Sequence, residues 1–449
     1  MATPNHGGGP NGAPWVLLSL LGAVLVGVAV LGANTVNSIL IIFLEVVFII
    51  FFARHMVFAV GAMKSAATDL SPALDQSTPD ALPRVTILVP CKNEESVVAS
   101  LVASLANLDY PHSQLQLIII DDGSTDSTPE KLDALAAVTP ILNVLHRPPG
   151  AGGGKSGALN DALTIATGDI IVVFDADHQP ANDVVWRLAR HFNDPGVGAV
   201  QGRCAIVNPD DSPLTRLIAM DYLAGYLVNE YGRQSIFRLP AYGGANCAVR
   251  ASSLREVGGW NPDTVTEDTD LTMKLILSGQ RVRYDVTAVD YEEGVVTLSR
   301  FWRQRYRWAR GHQQVWRDYR RQVLESRRLT LSEKIETMMF LLVFHMPVFS
   351  CLGLVLLIPW MIGLTHPGAA ANAFVLWTLL FLGPLLELGG GLLIGRAPRR
   401  WVFSLVYFLP LFFVSIALCT KAWFDGLLGR PYTWVKTSRA QDPTTQVAP

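Results

Sequence analysis

Two carboxylates one residue apart, Asp175 and Asp177 in the run Phe174-Asp175-Ala176-Asp177-His178, can approach a single divalent cation that also bridges two phosphates. An all-oxygen site of this kind suits Mg²⁺ or Mn²⁺. Such a cation stabilises a departing diphosphate as its charge develops. His178 is open as a further ligand or as a neighbour. Upstream, Val89-Pro90-Cys91-Lys92-Asn93-Glu94-Glu95 and Ile120-Asp121-Asp122-Gly123 each close an apolar run, and carboxylates there can hold a nucleobase amide and ribose hydroxyls. Asp121 and Asp122 together repel unless they bind something, while Asp126 reads equally as a helix cap. The loop Gly150-Ala151-Gly152-Gly153-Gly154-Lys155-Ser156-Gly157 lacks the G-x-x-x-x-G-K-[ST] spacing. It can still offer backbone N–H groups and the Lys155 ammonium to a diphosphate.

Further along, Thr266-Glu267-Asp268-Thr269-Asp270 opens an apolar helix. Thr266 or Asp270 could simply cap it. Asp268, with Glu267 beside it, could instead take the proton from an attacking hydroxyl. Gln304, Arg307 and Trp308 share one helix face, so the indole can stack on a sugar ring while Arg307 neutralises phosphate oxygens. An interfacial anchor is the alternative for that tryptophan.

These groups need a scaffold with strand ends on one edge. Apolar runs Arg84–Val89, Leu115–Ile120, Ile141–Leu145, Asp169–Phe174 and Val197–Gln201 read as strands. Helical patterns at Glu94–Leu105, Ser127–Ala137, Lys155–Ala166 and Asn182–Phe192 alternate with them, which predicts a parallel sheet covered on both faces. Ligands bind such sheets at the carboxyl ends of the strands, where the acidic motifs fall. Leu214–Phe237 and Leu298–Val323 mix aromatics, aliphatics and Arg without being apolar enough to span, as interfacial helices do.

Half of the 449 residues are hydrophobic, 16% are charged, and mean hydropathy is +0.30. That profile fits membrane segments around one soluble domain. A net charge of -2 gives no reason to invoke nucleic acid, and five scattered cysteines indicate neither a disulfide framework nor a zinc site. The expected division is a disordered start at 1–14, two transmembrane helices in 15–64, a cytoplasmic α/β domain at 84–297 and amphipathic interface helices at 298–330. Transmembrane or interfacial segments at 331–429 and a cytoplasmic tail at 430–449 complete it. Trp15–Leu31 and Ser38–Val60 are long enough to cross a bilayer and read as retained anchors rather than a cleaved signal. Glu45 within the second should face another helix. Arg54, His55 and Lys64 near its end place the following domain in the cytoplasm of a multi-pass plasma-membrane protein. Met338–Leu364, Ala373–Ile394 and Trp401–Trp423 are the later apolar stretches, with Pro347 and Pro410 as expected breaks.

Taken in order, these residues resemble the membrane-integrated family 2 glycosyltransferases, such as the poly-N-acetylglucosamine, hyaluronan, chitooligosaccharide and cellulose synthases. The resemblance implies an α/β GT-A domain inserted between transmembrane helices, a UDP-sugar donor and an inverting displacement. By that pattern Pro90, Lys92, Asn93, Glu94, Asp122, Lys155 and Asp175 serve the donor and Asp177 the metal. Asp268 is the base with Glu267 beside it, and Gly244, Gln304, Arg307 and Trp308 line the acceptor site. Trp434, Thr437 and Arg439 are similar to a gating loop over UDP, and the tail has no nucleotide-sensing module. The expectation is a processive synthase building a β-linked polysaccharide and passing it through the membrane. A glycolipid synthase using a lipid acceptor is the alternative. Membrane lipids surround the apolar segments, which leave room for helices from an accessory subunit or a second copy.

Overall fold

The most apolar strings between residues 85 and 173 lie side by side in one sheet. This is seen in a computed structural model that describes residues 13–65, 82–365 and 368–430. Two helices lead, α1 (Ala13–Leu31) and α2 (Ala33–Ser65). The sheet unit begins with β1 (Val85–Cys91), α3 (Val98–Ala106), β2 (Leu115–Asp121), α4 (Thr128–Ala136), β3 (Leu142–His146), α5 (Gly154–Leu163) and β4 (Ile170–Val173). It continues with β5 (Gln179–Pro180), α6 (Val184–Ala189), β6 (Val197–Ile206), α7 (Pro213–Ala224), α8 (Tyr231–Ile236) and β7 (Cys247–Arg250). It closes with α9 (Ala251–Glu256), α10 (Glu267–Ser278) and β8 (Arg281–Glu292). After these come α11 (Leu298–Glu325), α12 (Leu331–Leu342), α13 (Met346–Met361), α14 (Gly368–Ile394) and α15 (Phe408–Leu427).

The strands form one eight-stranded sheet in the order β3-β2-β1-β4-β7-β6-β8-β5. The half containing β1 to β4 is parallel. The other half corrects the all-parallel expectation: β7 runs antiparallel to both β4 and β6, and β5 antiparallel to β8. The sequence hid β7 because Cys-Ala-Val-Arg is too short for a strand pattern. It hid β8 because Arg281–Glu292 carries Arg, Asp and Glu throughout and is only partly buried. Two apolar layers cover the faces. One is built on Leu101, Leu105 and Leu188, the other on Leu159, Leu271 and Trp260. At typical values of about 1.5–3 kcal/mol per fully buried Leu, Ile or Val, these layers dominate the stability of the sheet unit.

The stretch expected as one helix from 214 to 237 starts with a capping box, in which the Ser212 hydroxyl accepts from the Thr215 N–H. It then widens into a π-turn at Gly225–Glu230 before α8. Such turns shift the register of the side chains that follow. Helix α11 packs on α10, α12 and α15, and α7 packs on β6 and α14. Both therefore lie between the sheet and the apolar helices.

Among the described residues three helical runs are long and apolar enough to cross a membrane: Ala33–Lys64, Leu331–Met361 and Arg399–Leu427. Leu21–Leu31 and Thr378–Ile394 are shorter apolar helices. Pro347 and Pro410 stand in the first turns of α13 and α15, after 3-10 stretches at Val343–His345 and Arg399–Tyr407. Arg54 is not a flanking surface charge. It is buried, with Nη2 2.8 Å from Glu336 Oε1, and His55 pairs with Glu387. Apolar surroundings make such charges seek partners within the bundle. Of the three cations read as marking the cytoplasmic side, Lys64 alone stays exposed.

Candidate active site

A cavity of about 570 Å³ opens along the carboxyl ends of β1, β2 and β4 and continues between α10, α11 and the apolar helices. Pro90, Lys92 and Glu94 reach it from the loop after β1, and Asp122 from the loop after β2. The neighbouring acids are held apart by separate cations. Asp121 is buried and bonds His146 at 3.0 Å, while Asp122 pairs with Arg147. The Asp121 and Asp133 carboxylates hold the His146 imidazole above its usual range, with the Asp121 hydrogen bond contributing most. Arg147 also binds Asp161 and the Gly152 carbonyl, tying the Gly-rich loop to Asp122. Gly123 is required between them: its φ is +67°, and a Cβ would stand 2.9 Å from Pro149 Cα.

Asn93 joins the loops after β1 and β2. With φ +53° it donates its N–H to Ser124 Oγ at 2.9 Å and accepts the Thr125 N–H at 2.8 Å, latching the two strand-end loops together. Asp126 accepts from the Thr128 N–H and the Glu95 N–H, which makes it a cap and a second latch.

The Lys155 ammonium lies 2.5 Å from Asp175 Oδ1, 2.8 Å from the Gly244 carbonyl and 3.6 Å from Glu267 Oε1. Burial would lower its pKa, but Asp175 and Glu267 outweigh burial and hold it above the usual lysine range. Burial would likewise raise the Asp175 carboxyl, and Lys155, His178 and Arg307 reverse this. Asp177 is exposed and lines the same cavity. Carboxylate oxygens of this kind fit a hard divalent ion, so Asp175 and Asp177 are the residues that would hold Mg²⁺ or Mn²⁺. His178 is a neighbour of that pair: its Nδ1 is taken by Asp290, and its Nε2 stands 3.9 Å from both Asp175 and Glu292. His178, Cys204 and Asp290 bring nitrogen, sulfur and oxygen atoms within 4.8 Å of one another. Burial holds that thiol well above its usual pKa.

Glu267 and Asp268 occupy the first turn of α10. Thr266 stands at the cap position without a side-chain cap bond; Asp268 accepts from the Thr269 N–H at 2.6 Å instead. Burial raises both carboxyls above their usual range, against the nearby Lys155 and Arg307 charges. A raised carboxyl facing a cavity has the character of a general base. Gly244 leaves room here. A Cβ added to it would come within 3.3 Å of Asp268 Oδ2, 3.4 Å of Glu267 Oε1 and 3.4 Å of Lys155 Nζ.

Gln304, Arg307 and Trp308 all reach the cavity from α11. Two partners were not visible in the sequence. The Arg305 guanidinium lies 4.3 Å from the Trp308 ring centroid and is anchored by Asp221 at 2.6 Å, which fixes the indole. His312, one turn further, shares Nε2 with Thr269 Oγ1 at 3.2 Å and packs 4.6 Å from Phe344. Burial, helped by Arg233, pushes its pKa down to about 4, so it is neutral. An i, i+4 count from Trp308 finds His312, but nothing local marks its contact with Thr269. Trp434, Thr437 and Arg439 lie outside the described residues.

Residues 86–258 match the family model described as Glycosyl transferase family 2. A beta-monoglucosyldiacylglycerol synthase from Nostoc sp. is 41% identical over 271 residues, which is 59% of this chain and 56% of that protein. A poly-beta-1,6-N-acetyl-D-glucosamine synthase from Staphylococcus aureus is 29% identical, over 54% of this chain and 57% of its own. The chain thus spans a little over half the length of these curated relatives. A mannosyltransferase from Pyrobaculum calidifontis, solved in complex with GDP-Man and Mn²⁺, aligns with TM-score 0.57 and 23% identity, over 86% of this chain and 100% of its own. That likeness concerns the fold, which is of the GT-A type with a mixed sheet.

Proposed function

We propose, from the glycosyl transferase family 2 domain at residues 86–258, that this protein transfers a single hexosyl group from a nucleotide sugar to the hydroxyl of a membrane lipid, with inversion at the anomeric carbon. One observation carries the reading. A single cavity is lined at one end by Asp122, Lys155 and Asp175 and at the other by His55 and Glu387 of the apolar helices α2 and α14. A water-soluble donor and a lipid acceptor can meet in it from opposite sides. The 41% identity to a monoglucosyldiacylglycerol synthase supports a diglyceride-like acceptor and a glucosyl donor.

In this reading Asp122 and Lys92 hold the nucleoside, and Lys155 neutralises the diphosphate. Asp175 and Asp177 would hold a divalent ion, which when bound would supply Lewis-acid stabilisation of the leaving group. Asp268 accepts the proton from the lipid hydroxyl as its oxygen bonds to the anomeric carbon. The bond from that carbon to the phosphate oxygen breaks, and its electron pair leaves on the nucleoside diphosphate. Gly244 keeps the space between base and diphosphate clear, and Trp308, braced by Arg305, stacks on the sugar. The protein is multi-pass in the plasma membrane, with this site on the cytoplasmic side where Lys64 ends α2.

A processive synthase is the second reading, favoured by Gln304, Arg307 and Trp308 in the cavity wall and by the poly-N-acetylglucosamine synthase relative. The experiment that separates them starts from detergent-purified protein with Mg²⁺ or Mn²⁺. Nucleotide release is screened across UDP-glucose, UDP-N-acetylglucosamine, UDP-glucuronate and UDP-galactose, with and without diacylglycerol. Release that requires the lipid supports the first reading. Release without lipid and with a high-mass product supports the second.

A further inference from the structure

The inner end of the cavity is walled by charged and polar side chains that the sugar-transfer chemistry does not use. Arg54 and His55 come from α2, Asn229 and Glu230 from the π-turn, Arg233 from α8 and Glu387 from α14. They form one network. Arg54 and Arg233 share Glu336, at 2.8 and 3.0 Å, and Arg233 reaches Glu230 at 3.4 Å. Asn229 donates to Glu387 at 2.9 Å, accepts from Arg54 at 3.4 Å, and His55 pairs with the other Glu387 oxygen. The register shift of the π-turn brings Asn229 and Glu230 to this wall together.

Two features of the network bear on what it faces. Its carboxylates outnumber its arginines: Arg54 and Arg233 stand against Glu230, Glu336 and Glu387, so no net positive charge is offered to a phosphate. Arg233, only 1% exposed, keeps Nη2 without a hydrogen-bond partner among the described residues although the residue lines the cavity. A buried donor of this kind destabilises the fold unless something satisfies it. The network also sits inside the apolar bundle. About 15 Å of helix separates Arg54 from Lys64, and about 10 Å separates Glu387 from the end of α14, at roughly 1.5 Å per residue. His312 joins this end to the base, since it contacts Thr269, which donates to Asp268, and packs on Phe340 and Phe344 of the inner wall.

We infer that this inner chamber is a recognition site for an uncharged, hydroxyl-bearing lipid head, and that Arg54, Asn229, Arg233 and Glu387 select it against phosphate-bearing lipids. The inference rests on the lipid-acceptor reading above and names the class of acceptor. Arg233 and Asn229 supply donors, and Glu387 an acceptor, to a glycerol-like head whose free hydroxyl points toward Asp268. An added phosphate would bring a negative charge against Glu230 and Glu387 at a depth where water does not screen it.

The test uses the full chain in nanodiscs with the donor sugar it turns over, and two lipids of equal acyl chains. These are dioleoylglycerol and dioleoylphosphatidylglycerol, which both carry free hydroxyls. Dioleoylglycerol should be glycosylated at least about tenfold faster, and Asn229→Ala and Glu387→Gln should each raise the apparent KM for it about tenfold, the scale of a lost hydrogen bond to a charged group. UDP affinity, measured on the same samples, should hold and so report an intact fold. Equal use of phosphatidylglycerol would overturn the inference, as would variants that lower kcat with the lipid KM unmoved. In both cases lipid glycosylation, and with it the parent reading, survives. If wild-type protein modifies neither lipid and builds polymer instead, both fall.

Discussion

Lys155 Nζ is 2.5 Å from Asp175 Oδ1, so the helix that follows the Gly-rich loop is fastened to the strand end that carries the acidic pair. In the proposed function this ammonium is the group that neutralises the diphosphate. Lys155→Ala should weaken UDP binding about tenfold, the order of one charge-assisted contact. It should also slow turnover further, because charge on the leaving group goes unmatched. Calorimetric titration with UDP in the presence of Mn²⁺ checks it; unchanged affinity would remove Lys155 from the diphosphate site.

Asp268→Asn should cut kcat by about 10²–10⁴, the span of general-base catalysis, while nucleotide affinity is retained. Turnover near that of the wild type would remove Asp268 from the role of base.

The acid limb of the pH profile follows from the same residue. Burial raises the Asp268 carboxyl, and only the ionised form can take a proton, so kcat should fall as pH drops through that raised value. The fall should therefore begin above the ordinary carboxylate range, near 4. A fall that begins only at the ordinary carboxylate value, near 4, would contradict the raised pKa.

Gly244→Ala tests the crowding between base and diphosphate. The added Cβ meets Asp268 Oδ2 at 3.3 Å and Glu267 and Lys155 at 3.4 Å, so the Asp268 carboxylate must give by a few tenths of an ångström. A displacement of this size should lower kcat about tenfold or more with little loss of thermal stability. Thermal unfolding and initial rates on one preparation separate the two effects.

Asp285→Asn concerns the scaffold. Asp285 is buried and bonds Arg190 at 2.6 Å and His191 at 2.8 Å. Burial would raise its carboxyl, but His191, Thr287 and Arg190 outweigh this and hold it well below the usual range. A depressed carboxyl stabilises the fold above its unfolded pKa, near 4, and that contribution drains away as pH falls further. The substitution should cost about 3–5 kcal/mol at neutral pH, as breaking a buried pair does, with a smaller deficit in acid. Denaturant unfolding at two pH values measures it.

The sequence displayed the site better than it displayed the fold around it. Asp122, Asp175 and Asp268 were legible because each follows a strand or opens a helix, and Trp308, inside α11, because it shares a helix face with Gln304. Arg147 was not, because its partners Asp122 and Asp161 come from other elements. Arg54 and His55 read as a membrane-edge charge cluster, since their partners Glu336 and Glu387 lie some three hundred residues away. The latch that Asn93 makes between two loops, with a left-handed backbone, had no signal in the sequence either. The antiparallel insertion of β7 had no signal at all, since four residues cannot declare a direction.

The central claim is that donor and lipid meet in one cavity and that one sugar is passed per acceptor. The most direct measurement is the mass of the product formed by purified protein in nanodiscs containing diacylglycerol, supplied with radiolabelled UDP-glucose and Mn²⁺. The account predicts label in a lipid extract at the mass of diacylglycerol plus one hexose, absent from Asp268→Asn. Label retained in a water-soluble or high-mass polymer, with none in the lipid fraction, would contradict it.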